Sequence, residues 1–143
     1  MFYIGIDVGS TTVKIAALDK DDNLCYSKYL RHNADLYKTL QNMCEEMREN
    51  FSDSNLSVSI TGSGGMSVSE KLNLTFVQEV IAGCKAVEKH IPGVDVIIEL
   101  GGEDAKITFY KGGVDQRMNG ICAGGTGAFI DQMAILLNTY AKG

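Results

Sequence analysis

Glycine makes up 16 of the 143 residues, and it gathers where apolar runs end. Four segments stand out: Asp7-Val-Gly-Ser-Thr-Thr, Thr61-Gly-Ser-Gly-Gly, Glu99-Leu-Gly-Gly-Glu-Asp and Ala123-Gly-Gly-Thr-Gly. The first three each follow a short run of β-branched and other apolar residues, so each reads as a strand opening into a tight turn. A chain that repeatedly ends strands this way, with helical patterns between them, is built as an α/β protein.

The intervening segments fill in that plan. Residues 2–8, 12–19 and 24–30 read as three strands joined by short turns, the second turn through Asp21-Asp22-Asn23, which predicts an antiparallel meander. Leu36, Leu40, Met43 and Met47 recur at helical spacing over about 35–50 and form a core-facing stripe. A strand at 56–61 follows. A second helix over 77–91 carries Val77, Val80, Ile81, Cys84, Val87 and Ile91 on one face and stops at Pro92-Gly93. The segment at 94–100, VDVIIEL, is apolar on both faces, which predicts a strand in a sheet covered on both sides. Strands near 105–110 and 113–118 flank the hairpin glycines Gly112-Gly113, and residues 125–140 form a last helix with Phe129, Ile130, Met133, Leu136, Leu137 and Tyr140 apolar. The predicted order is βββ-α-β-α-βββ-α, a mixed sheet with helices on both faces. No internal repeat or linker is visible.

Bulk properties limit the function. The net charge of −5, with no cluster of Lys or Arg, argues against nucleic acid as the main partner. No apolar run approaches the roughly 18 residues of a membrane span, and the N-terminus lacks a signal-peptide pattern, so the expected location is the cytoplasm. There the four cysteines are expected to be reduced. Cys25, Cys44 and Cys84 read as small buried hydrophobes, whereas Cys122 directly precedes a glycine-rich helix start.

The turns themselves suggest a chemistry. Glycines let backbone N–H groups approach an anion, hydroxyls add donors, and a helix N-terminus adds a favourable dipole, so such turns suit phosphate oxygens. Carboxylates beside them would repel phosphate unless they hold Mg²⁺, usually through its waters, or position an attacking water. Acids and donors together therefore suggest a metal–nucleotide site, although any one turn read alone is better explained as a plain tight connection. Neither GxxxxGK[ST] nor a GxGxxG after the first strand is present.

At this point the residues resemble a family. GIDVGSTTVK is similar to the phosphate-1 motif of the actin, Hsp70 and sugar-kinase ATPases, and IIELGGEDAK to their phosphate-2 motif. MNGICAGGTGAFIDQMA, residues 118–134, resembles the signature of activators of 2-hydroxyacyl-CoA dehydratases, relatives of the ATPase subunits of benzoyl-CoA reductase. The resemblance implies a ribonuclease H-like, actin-like ATPase lobe spanning residues 1–143. It also implies a homodimer of two-lobed subunits with ATP or ADP between the lobes and one bridging [4Fe–4S] cluster. Hydrolysis would drive one low-potential electron, received from a donor such as ferredoxin or flavodoxin, to the dehydratase or a related reductase component.

Residue by residue, the resemblance makes Asp7 the holder of Mg²⁺ through water. Gly9, Ser10, Thr11 and Thr12 would then hold phosphate oxygens, with Lys14 adding charge. Gly101 and Gly102 form a second phosphate clamp. Glu99 stands where the usual motif has aspartate and would support metal or water, with Glu103 (commonly glutamine) and Asp104 beside it. Gly124, Gly125, Thr126 and Gly127 supply the helix start, and Cys122 matches the first cluster cysteine. A helix N-terminus lowers a thiol's pKa and favours the thiolate that binds iron. Thr61-Gly62 resembles the family's TG turn, with Gly65 in place of the usual arginine, and Glu79 matches a recurrent acid.

The adenosine motif and a second cluster cysteine are expected downstream of residue 143, so the chain is expected to be an N-terminal lobe that alone binds ATP weakly and holds no stable cluster. Two other readings are a kinase of the same superfamily, acting on a sugar or short acid, and a non-catalytic actin-like assembly module. Neither has a use for Cys122.

Overall fold

The structure, a computed structural model, describes residues 1–102, 104–119 and 126–139. The chain divides into two units, Met1–Ala82 and Gly83–Gly143.

In the first unit the elements are β1 (Phe2–Val8), β2 (Thr12–Leu18), β3 (Leu24–Arg31), α1 (Leu36–Asn50), β4 (Leu56–Thr61), α2 (Gly65–Leu72) and β5 (Thr75–Phe76), after which α3 (Glu79–His90) begins. One five-stranded sheet results, in the order β3-β2-β1-β4-β5. Short turns make β1, β2 and β3 an antiparallel meander, as the sequence predicts. A strand that follows a helical crossover returns in the same direction, and β4 accordingly pairs parallel to β1, with β5 parallel to β4.

The core lies on one face of this sheet. Alternate residues Ile4, Ile6 and Val8 of β1 and Val13, Ile15 and Ala17 of β2 meet Ile60 of β4, Leu40, Met43 and Met47 of α1, Phe51, and Val68 of α2. The predicted stripe of α1 is thus core, and each such side chain contributes roughly 1.5–3 kcal/mol when fully buried. Asp35 caps α1 by accepting a hydrogen bond from the Lys38 N–H at 3.3 Å. The other face carries Tyr3, Gly5 and Asp7 of β1, which alternate with the buried set.

Two elements escape the sequence reading. α2 begins at Gly65 within the glycine cluster and runs for only eight residues, and β5 is two residues long, too short to show any alternation. The element order is therefore βββ-α-β-α-β-α-βββ-α. Cys25 is also not the buried hydrophobe expected: it is exposed, because β3 is an edge strand and Tyr26, in register with Ala17, takes the core-facing position next to it. Cys84 is buried, and Cys44 is half-buried, its thiol pushed up by burial.

The second unit contains the end of α3, then β6 (Val96–Leu100), β7 (Ala105–Phe109), β8 (Asp115–Met118) and α4 (Gly127–Leu136). The strands form an antiparallel sheet in the order β6-β7-β8, with Gly112 and Gly113 in the left-handed region between β7 and β8. It repeats the order βββα with which the first unit opens. The expectation that β6 is covered on both sides does not hold. Ile98 and Leu100 are both 70% exposed, and Phe129, Ile130, Ile135, Leu136 and Leu137 also stand out to solvent. Apolar alternation marks faces able to be buried, and three strands with α4 and the end of α3 bury few of them. No described helix is long and apolar enough to cross a membrane.

Candidate functional site

Asp7 is the penultimate residue of β1, and because Ile6 and Val8 point into the core, its carboxylate lies on the opposite face. The turn between β1 and β2 closes through a hydrogen bond from the Gly9 N–H to the Thr12 carbonyl at 2.9 Å. Within that turn Ser10 is exposed, Thr11 half-buried and Thr12 buried. Antiparallel register sets Lys14 across from Asp7, and its Nζ sits 2.6 Å from Asp7 Oδ2. Tyr29 of β3 is the next partner in the row, its ring 5.8 Å from the Lys14 ammonium. On the other flank, parallel register brings Thr61 of β4 beside Asp7. A polar row, Tyr29–Lys14–Asp7–Thr61, thus crosses four strands.

The Thr61–Gly65 turn is built against this row. Gly62 has φ +93°, and a Cβ there would fall 2.4 Å from both Asp7 Oδ1 and the Val8 carbonyl oxygen. The Gly64 N–H donates to the Val8 carbonyl at 2.8 Å, and a Cβ at Gly65 would crowd Ile60 at 3.0 Å and Phe76 at 3.2 Å. Two polar atoms near the β1–β2 turn are buried without a hydrogen-bond partner among the described residues: Thr61 Oγ1, and Nδ1 of His32, whose backbone N–H donates to the Thr11 carbonyl.

In the second unit the β6–β7 hairpin has the same design. Glu99 lies across from Lys106, with Nζ to Oε1 at 3.7 Å, and the Gly101 N–H donates to the Asp104 carbonyl at 2.8 Å. The start of α4 is fastened to this turn. Thr126 Oγ1 and the Ala128 N–H both donate to the Gly102 carbonyl, at 2.9 and 2.8 Å, and the Gly127 N–H donates to the Gly101 carbonyl at 3.0 Å. The Thr126 hydroxyl and the Gly127 N–H thus help to shape the Gly101–Gly102 turn. Glu103, Cys122, Gly124 and Gly125 lie outside the described residues. Glu79 sits in the first turn of α3, where an acid favours the helix dipole.

Lys106 was not singled out from the sequence, yet a signal for it exists. DVGSTTVK (7–14) and ELGGEDAK (99–106) share an acid, a glycine two residues on and a lysine seven residues on. The structure shows why this spacing recurs: a four-residue turn closed at its glycine sets the lysine directly across from the acid. The five-stranded unit also shows what Gly62 is for, which no local pattern discloses.

The first row suits a hydrated divalent cation. Among the described residues, no three His, Cys, Asp or Glu side chains cluster as a cage for a bare ion. Mg²⁺ keeps several waters and commonly takes only one or two carboxylates from a protein. Asp7, 29% exposed and backed by Gly62, is such a carboxylate, and the orphaned Thr61 hydroxyl beside it is suited to one of those waters.

Known proteins resemble this chain throughout its length. It is 30% identical over 97% of its residues to the activator of lactoyl-CoA dehydratase of Anaerotignum propionicum, covering 55% of that protein. It is 29% identical over 96% to the (R)-2-hydroxyglutaryl-CoA dehydratase activating ATPase of Acidaminococcus fermentans, covering 54% of it. The crystal structure of component A of that Acidaminococcus dehydratase superposes with a TM-score of 0.79 at 25% identity, over 98% of this chain and 55% of the other. The ADPNP-bound activator of 2-hydroxyisocaproyl-CoA dehydratase from Clostridium difficile gives 0.74 at 26%, over 98% and 53%. The chain thus has the ribonuclease H-like fold of the actin-like ATPases and spans about half the length of the curated relatives it matches. Residues 4–142 match one family from end to end, and the chain belongs to the BadF/BadG/BcrA/BcrD ATPase family.

Proposed function

We propose that this chain supplies nucleotide-binding elements of an ATP-hydrolysing activator that passes a low-potential electron to a 2-hydroxyacyl-CoA dehydratase or related reductase component. The observation that carries the reading is the repeated hairpin, with acid, glycine and lysine in the same cross-strand register, in a member of an ATPase family. The names of the relatives, activators of such dehydratases, give the direction of the chemistry.

In this reading the Gly9–Thr12 turn and the Gly101–Gly102 turn offer backbone N–H groups, and Ser10 and Thr11 offer hydroxyls, to phosphate oxygens. Asp7 holds Mg²⁺ through its waters. Bound there, the ion neutralises charge on the phosphate tail. Lys14 balances the Asp7 carboxylate and lies within reach of the same anion. Glu99 supports metal or an attacking water, with Glu103 and Asp104 following it in the sequence. Cys122 is assigned to a [4Fe–4S] cluster on the sequence match alone, together with a homodimer, a ferredoxin- or flavodoxin-type donor and a cytoplasmic setting. The test is a titration of the full-length natural protein with a fluorescent ATP analogue and MgCl₂. Asp7→Asn is expected to weaken magnesium-dependent binding at least about tenfold. Cys122→Ala is expected to abolish electron transfer and spare nucleotide binding. A kinase would be indifferent to the second change.

A further inference from the structure

Thr61 makes a demand that no described residue meets. Its hydroxyl is buried without a partner, a condition native proteins rarely leave uncompensated. It is in register with Asp7 on the neighbouring parallel strand, so both side chains project from the same face. Lys14 already occupies Oδ2 of that carboxylate, and the backbone of Gly62 closes in on Oδ1. Asp7 is thereby held from two sides, and among the described residues Thr61 Oγ1 is a buried polar atom in register with it that has nothing to bond.

We infer that Thr61 is a positioning residue of the cation site, its hydroxyl bonding a water in the shell of the divalent ion that Asp7 attracts, while Gly62 fixes the carboxylate that faces it. This rests on the reading of Asp7 as the magnesium-binding acid. A hydroxyl acting through a ligand's water tunes metal affinity without touching the metal, an effect commonly of 10–100-fold.

The test compares Thr61→Val, which keeps the shape and removes the hydroxyl, with Thr61→Ser, which keeps the hydroxyl, and with Asp7→Asn. Two quantities are measured on the full-length natural protein: the MgCl₂ concentration that half-saturates binding of a fluorescent ATP analogue, and the thermal unfolding midpoint in the absence of nucleotide. The expected result is a shift of about tenfold to higher MgCl₂ for Thr61→Val, near wild-type behaviour for Thr61→Ser, and an unfolding midpoint for Thr61→Val no lower than wild type. If Thr61→Val leaves the magnesium dependence unchanged while Asp7→Asn shifts it, the hydroxyl is only an unpaired group and the inference is overturned. If neither variant shifts it, Asp7 is not the magnesium acid, and the inference falls with the reading beneath it.

Discussion

The two hairpins share a plan and differ in their surroundings. Asp7 stands on a strand with neighbours on both sides, β2 and β4, whereas Glu99 stands on β6, which among the described residues pairs with β7 alone. The consequences are measurable: Asp7 is 29% exposed and 2.6 Å from its lysine, while Glu99 is 49% exposed and 3.7 Å from its own. The first hairpin also rests on a core that two helices cover, and the second carries open apolar faces. A local sequence pattern therefore fixes which residues face one another, and distant elements decide how firmly they are held.

The glycines that brace the turns provide the strongest test of that difference. Gly62→Ala combines a left-handed backbone with overlaps at 2.4 Å, and it is expected to destabilise the first unit by about 4 kcal/mol in urea unfolding. Gly127→Ala meets only a 3.2 Å contact with the Gly101 carbonyl in an ordinary helical position. It should cost about 1 kcal/mol, detected as faster hydrogen exchange in β7. Equal losses at the two positions would erase the distinction between a clamped turn and a lightly braced one.

Next in size is the contrast between the cores. Met43 is fully buried, and Met43→Ala should lower stability by about 3 kcal/mol. Ile98→Ala, at a site 70% exposed, should change it by less than about 0.5 kcal/mol. A large loss at Ile98, measured the same way, would mean that β6 is covered in solution.

The lysines give the smallest effect. Lys14→Met should cost about 0.5–1 kcal/mol at neutral pH and low ionic strength, and most of that loss should vanish in 1 M NaCl. Lys106→Met should show a smaller salt-sensitive part, because its carboxylate is more distant and more exposed. Urea midpoints at the two salt concentrations decide the matter, and the reverse order would contradict the geometric difference between the pairs.

Much of this was legible in the sequence because it is local. Alternation in residues 2–8 and 12–18, the Leu and Met stripe of α1, and the glycine turns each encode a period or a backbone conformation that neighbouring residues can enforce. α2 was hidden because glycine at its start breaks the helical pattern, and β5 because two residues have no period. Thr61 and Gly62 could be named from the sequence, but their contact with Asp7 could not. It depends on β4 lying parallel to β1, a pairing between residues some 50 positions apart that leaves no local trace. The open face of β6 was misjudged for a related reason: an apolar residue states what it can bury, not what lies over it.

One consequence of the Asp7–Lys14 contact concerns loading. An acid with an ammonium 2.6 Å away is already balanced, so a lone divalent ion gains little by approaching it. A nucleotide tail brings negative charge of its own, to which the lysine is free to turn as the metal comes in. Arrival of metal and nucleotide together is then an exchange of counterions, favoured over capture of either by itself.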